Sequence, residues 1–249
     1  PPQPALANTS AIPHHFAFLL TPSITPIDLY GPLDVLTALS MWYANTTKPM
    51  HLSFISPNHT SATTNPPLPG LNFGVDIVPT ITFDEYAALQ AKNFTLEGGE
   101  CAREKANAAK GKIDVLLIPG GGGTRMNISR EIAFTKKIYP SLSHIISVCT
   151  GATLLARADI LSHRRATTNK KAWTWATSFG ANVSWVKEAR WVRDGNVYTG
   201  SGVSAAVDTA FAFVGDVYGR EVAGYVADAS EYSMWPSAED DPFAKRWGV

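Results

Sequence analysis

The chain contains two cysteines, and one of them, Cys149, stands where a thiol can act as a nucleophile. In Ile145-Ile146-Ser147-Val148-Cys149-Thr150-Gly151-Ala152 an apolar run stops and small residues begin, the local pattern of a strand turning sharply into a helix. A sulfur on such an elbow faces unpaired backbone N–H groups and the positive end of the helix dipole. That position predicts a lowered thiol pKa and thiolate at neutral pH. A buried cysteine serving as a small apolar side chain fits the same local pattern.

Two further segments carry groups that such a thiol would need. In Ile118-Pro119-Gly120-Gly121-Gly122-Gly123 the glycines follow an apolar strand, where backbone N–H groups can approach a developing anion without side-chain obstruction. The run lacks the Lys-Ser/Thr of a P-loop and is not a dinucleotide-binding Gly pattern, and a flexible turn is its plain alternative. In Thr25-Pro26-Ile27-Asp28-Leu29-Tyr30-Gly31-Pro32 a carboxyl group follows the first strand, where it could equally cap a helix. In a parallel sheet all strand C-termini share one edge, so Asp28, Gly120 and Cys149 can converge there although they are far apart in sequence.

The elements that must position them read as α/β. Phe16 to Leu20 is a strand, Leu29 to Met41 has helical spacing, and His51 to Ser56 alternates as a strand, so the opening is β-α-β and implies a parallel sheet. Val75 to Phe83 reads as a short strand or hairpin before a helix at Asp84 to Gln90. Ile113 to Ile118 and His144 to Val148 are unbroken apolar runs, as expected of central parallel strands. A Trp-containing helix, short strands around Trp191 and Val197 and a long helix at Ala205 to Tyr218 complete the alternation. We expect an arm at 1–13, one domain at 14–232 with a polar surface insertion near 91–112 that carries Cys101, and a tail at 233–249 packed on the domain.

Composition narrows the function. Lys plus Arg and Asp plus Glu both total 21, so no basic field gathers phosphates and nucleic acid is not an expected partner. No apolar run approaches membrane-spanning length, and Pro1-Pro2-Gln3-Pro4 does not resemble a signal peptide, so the chain reads as a secreted protein already processed. Secretion is suggested by the sequons at Asn8, Asn45, Asn58, Asn93, Asn127 and Asn182. They account for 6 of the 11 asparagines, where 40 Ser plus Thr among 249 residues would give roughly 2 by chance. An oxidising compartment adds a third reading of Cys149, a disulfide to Cys101. His14, His15, His51, His59, His144 and His163 do not sit at a strand end beside the proposed site.

Together these segments resemble the ThiJ/PfpI superfamily from about Phe16 to Tyr218. The resemblance implies a flavodoxin-like, doubly wound, mostly parallel sheet with helices on both faces and a nucleophile elbow. Within it, Asp28 to Pro32, Ile118 to Gly121, Val148 to Ala152 and Arg165-Ala166-Thr167-Thr168 resemble the isocyanide (isonitrile) hydratase branch. That branch implies Cys149 as nucleophile, Asp28 as acid/base partner, Thr150 as a hydroxyl and backbone donor beside the sulfur, and Gly120 and Gly121 as backbone donors. Members of the superfamily often form homodimers. AraC-type regulators of the same branch continue into a DNA-binding helix-turn-helix region, and a DNA-binding role is not expected for this chain. Peptidase-like members carry His after the nucleophilic Cys, where this chain has Thr150. Hydratase-like sequences follow Ala-Thr-Thr with His-Trp, whereas this chain reads Thr168-Asn169-Lys170-Lys171-Ala172-Trp173, a departure that bears on the pocket.

The expected chemistry is hydration of an isocyanide, a small-molecule substrate, to an N-substituted formamide through a Cys149 thioimidate. It calls for no metal and no cofactor. The alternatives are another Cys-dependent lyase, cyclase or hydrolase acting on a small electrophilic metabolite, and a secreted binding or redox-sensing protein without catalysis.

Overall fold

The computed structural model describes residues 2–7, 12–94 and 102–249. Cys101 and Asn8 therefore lie outside the described residues. A seven-stranded sheet is built from β1 (His15–Leu19), β2 (His51–Ser56), β3 (Ile81–Thr82), β4 (Val115–Ile118), β5 (His144–Val148), β6 (Trp191–Asp194) and β7 (Val197–Gly200). In space the order is β6-β7-β5-β4-β1-β2-β3, parallel throughout except for the β6–β7 hairpin. The helices are α1 (Pro26–Trp42), α2 (Phe83–Ala91), α3 (Ala102–Ala109), α4 (Ser129–Ile138), α5 (Ala152–Arg157), α6 (Trp173–Ala176), α7 (Ala205–Val217), α8 (Arg220–Ala229) and α9 (Pro242–Trp247).

Successive side chains of a strand point to opposite faces, and here both faces are covered, which is why the central strands are apolar without alternation. Phe16, Phe18, Val115, Leu117, Ile146 and Tyr198 pack against α1, α7 and α8. Ala17, Leu19, Leu116, Ile118, Ile145 and Val197 pack against α2, α4 and α5. This is the doubly wound, flavodoxin-like α/β fold. The C-terminus of β1 leads through a short loop into the first turn of α1, which carries Asp28, and β4 and β5 end at the turns that carry Gly120 and Cys149.

The structure adds elements to the sequence reading. The 91–112 segment holds α3, whose buried Asn107 donates to the Thr80 carbonyl at 3.1 Å. Helix α8 was not anticipated, although Val222, Ala223, Val226 and Ala227 carry a helical apolar spacing and are buried. Within 233–249, α9 begins at Pro242 with Asp241 as its N-cap. Near the N-terminus, the Ala7 N–H donates to the Tyr218 carbonyl and the Tyr43 hydroxyl to the Pro4 carbonyl, both at 3.0 Å.

Candidate active site

Cys149 follows β5 with φ at 57°, a left-handed conformation that costs a non-glycine residue about 1–3 kcal/mol. The surrounding packing enforces it. The Cys149 N–H donates to the Ser201 carbonyl at 2.9 Å, and the Thr168 hydroxyl donates to the Cys149 carbonyl at 2.9 Å. A 3-10 turn, Cys149–Gly151, then feeds α5. Gly151 permits the tight turn, because a Cβ there would lie 2.4 Å from the Ile118 carbonyl oxygen. The strand-turn-helix elbow expected from the sequence is present.

Asp28 lies inside the first turn of α1, whose N-cap is Thr25, so it does not cap the helix. Its side chain is buried and accepts the Gly120 N–H at 3.1 Å through Oδ2, across 92 residues of sequence. Its other oxygen, Oδ1, is buried without a hydrogen-bond partner among the described residues. Burial raises the carboxyl to about 7, against smaller lowering from the Cys149 thiol and the Gly120 N–H. The site thus holds a carboxyl group that takes up and returns a proton near neutral pH.

Gly120 fits where no side chain could. A Cβ on it would lie 2.7 Å from the Thr150 nitrogen, 2.8 Å from Asp28 Oδ2 and 2.9 Å from Cys149 Cβ. Gly121 has φ at 134° and bridges to Ile24, and a Cβ there would meet the Ser23 carbonyl at 2.2 Å. The glycine run is therefore a packed strap rather than a flexible turn. Its N–H groups are already engaged, Gly120 with Asp28 and Gly121 with the Thr150 hydroxyl oxygen at 3.0 Å. The Thr124 hydroxyl also donates to Thr150 Oγ1 at 3.0 Å, tying the elbow to this strap.

The expectation of a low-pKa thiolate is corrected. Cys149 is only 4% exposed, and burial pushes its thiol up, reinforced by the Asp28 carboxylate. The N–H groups of Thr150 and Val203 and the Asn169 amide counter this without overcoming it. A helix start lowers a thiol pKa when solvent or a cation shares the charge. Here an anion sits beside the sulfur instead. The resting pair is a thiol beside a carboxyl group.

The site also contains residues that the sequence reading did not assign a role. The Asn169 Nδ2 donates to Cys149 Sγ at 3.2 Å, and Asn169 Oδ1 accepts the Ala172 N–H at 3.0 Å. Next to it, Lys170 is buried and its ammonium contacts Thr167 Oγ1, the Ala189 carbonyl and Ser201 Oγ at 2.9 Å each, with Asp241 Oδ2 at 3.0 Å. The signal for these residues was the departure from His-Trp after Thr168. What it leads to, a partner 71 positions later, is not visible locally. Beyond Asn169 a cavity of about 260 Å³ opens between the Ser201–Ser204 loop and the Phe243 and Trp247 rings of α9.

Cys149 is a free thiol, and no His/Cys/Asp/Glu group able to hold a metal occurs among the described residues. The histidines stand apart from the site; His15, for example, is buried between the Gly111 carbonyl and Ser53. The asparagines of the five described sequons, Asn45, Asn58, Asn93, Asn127 and Asn182, are all exposed. No helix among the described residues is long and apolar enough to cross a membrane.

Comparison with known proteins follows the same lines. The chain is 28% identical to an isonitrile hydratase of Pseudomonas putida over 221 residues, covering 88% of this chain and 78% of that one. A ThiJ/PfpI family protein from Pseudomonas syringae superposes with a TM-score of 0.66 at 25% identity, over 92% of this chain and 81% of the other. Drosophila melanogaster DJ-1beta shares the fold with a TM-score of 0.64 at 18% identity, over 90% of this chain and all of that one. Residues 15–216 match the DJ-1/PfpI family, and with the elbow, the buried carboxyl and the glycine strap in place the chain belongs to that family.

Proposed function

We propose that this protein is a cysteine-dependent enzyme that hydrates an isocyanide to an N-substituted formamide. The observation that carries the reading is the buried pair of Asp28 and Cys149, with the carboxyl raised to about 7 and no cation beside it among the described residues. The similarity to an isonitrile hydratase over most of the chain supports it.

The pair accounts for both halves of the reaction. Asp28, ionised, takes the thiol proton as Cys149 Sγ bonds to the terminal carbon of R–N≡C, and returns that proton to the same carbon, leaving the thioimidate R–N=CH–S–Cys149. Water then adds to this carbon with proton transfer to nitrogen through Asp28. The C–S bond breaks, releasing R–NH–CHO and restoring the thiol. Because the sulfur starts protonated, Asp28 must act within the attack itself. Asn169 and the Thr150 and Val203 N–H groups face the sulfur and stabilise its negative charge as the proton leaves. With their N–H groups engaged internally, Gly120 and Gly121 act here by fixing Asp28 and Thr150 against the elbow.

The same observations count against the non-catalytic sensor, because redox-sensing cysteines are exposed and of low pKa. The reading includes secretion as a glycoprotein, supported by the sequons and their exposure, which enzymatic deglycosylation with intact-mass measurement of protein from its source tests. It also includes a homodimer, which light scattering measures. The decisive assay follows formamide production from methyl isocyanide by wild type and Cys149→Ala. Formation by wild type alone supports hydration, and no formation by wild type rejects it.

A further inference from the structure

The 260 Å³ cavity beside Asn169 is walled on its outer side by a part of the chain that lies beyond residues 15–216, the span that matches the family. Asp241 builds that wall in two ways. Its Oδ1 accepts the Phe243 N–H at 2.9 Å and starts α9, while its Oδ2 pairs with the Lys170 ammonium at 3.0 Å. Both side chains are withdrawn from solvent, 2% exposed for Lys170 and 0% for Asp241. The latch reaches the nucleophile by two short routes. Lys170 is the neighbour of Asn169, whose amide donates to the sulfur, and Ser201, which touches both latch residues, accepts the Cys149 N–H through its carbonyl.

The lining indicates what the cavity takes. Phe243 and Trp247 supply aromatic surface and Val203 an apolar side chain. The Lys170 ammonium is consumed by its own partners, so it offers no free charge to an anionic group. The exposed Lys171 ammonium stands over the Trp247 ring at 5.7 Å. An apolar cavity of about 150 Å³ accepts benzene, so this one has room for a single substituted ring.

We propose that α9, latched through Asp241 onto Lys170, forms a subsite beside Asn169, the neighbour of the Cys149 sulfur, that binds an aromatic substituent of the substrate. For the identity of the reacting group the inference rests on the hydratase reading. The subsite itself concerns only what lies next to that group. Trp247 and Phe243 are binding residues on this view, and Lys170 and Asp241 are positioning residues that hold the wall in place.

The test uses the full chain and matched ligands, methyl and benzyl isocyanide for turnover and N-methylformamide and N-benzylformamide for binding by calorimetry. Wild type is expected to favour the benzyl member of each pair by about tenfold or more, and Trp247→Ala to lose most of that preference through KM and Kd. Asp241→Asn should reduce the same ratio, whereas a purely stabilising latch would lower the melting temperature and leave the ratio unchanged, overturning its positioning role. Trp247 is 52% exposed, so its replacement tests the wall without threatening the fold. Equal or absent binding of the two formamides, or an unchanged preference in Trp247→Ala, overturns the subsite. Benzyl preference in binding with no turnover of either isocyanide supports the subsite and rejects the hydratase reading instead.

Discussion

Two buried aspartates, Asp28 beside Cys149 and Asp241 beside Lys170, show how one residue type meets opposite electrostatic surroundings. Asp28, 1% exposed, receives one backbone N–H and the thiol, leaves Oδ1 unpartnered, and has its carboxyl raised to about 7. Asp241, its side chain equally buried, faces an ammonium, a hydroxyl and a helix N-terminus, so both of its oxygens are occupied. Burial raises the Asp28 carboxyl, and of the two only Asp241 is given a cation as partner. An uncompensated carboxylate can take up a proton near neutral pH, whereas a compensated one is suited to serve as a fastening.

Replacing the nucleophile should break the comparison most completely. Cys149→Ala is expected to lower turnover by at least roughly a thousandfold, read as formamide formation, since no other thiol among the described residues can take its place. Asp28→Asn keeps the shape and the Gly120 hydrogen bond yet removes the proton acceptor, so turnover should fall by about 10²–10⁴. In wild type the rate should rise with pH through about 7, the range in which Asp28 ionises, and this rise should vanish in the variant.

Asp28 also has a stability signature of definite sign. Its folded pKa lies above the unfolded value, so it stabilises fully at low pH and that contribution is lost as pH rises toward and through about 7. Asp28→Asn should therefore gain melting temperature relative to wild type at pH 8 and not at pH 4. Asp241→Asn should do the opposite of relieving strain. It leaves the Lys170 ammonium buried without its anion and is expected to cost about 3–5 kcal/mol, roughly 2–4 °C of melting temperature for each. The smallest effect is expected at Asn169→Ala, which removes the hydrogen bond to sulfur and leaves the Ala172 N–H without its acceptor, so turnover should fall by roughly tenfold and stability by about 1 kcal/mol.

Much of the site was legible from local pattern. An apolar run ending in Cys149-Thr150-Gly151 permits few backbones other than a strand entering a helix, and Gly120 and Gly121 appear where side chains would collide. Asp28 was legible only as a carboxyl near the correct sheet edge. That it faces the sulfur, rather than capping α1, depends on how α1 packs against β4 and β5. Asn169 and Lys170 appeared only as a departure from an expected His-Trp, and α8 was overlooked although its apolar spacing was present.

By itself the sequence determined the α/β alternation, the elbow and the edge on which the candidate groups gather, because backbone geometry and binary pattern are written in neighbouring residues. Only the tertiary structure decided that burial pushes the thiol up, that Asp28 lies beside it, and that Asp241 reaches Lys170. Those properties depend on desolvation and on contacts between residues far apart in the chain, and no local pattern records how deeply a charge will be buried or what will face it there.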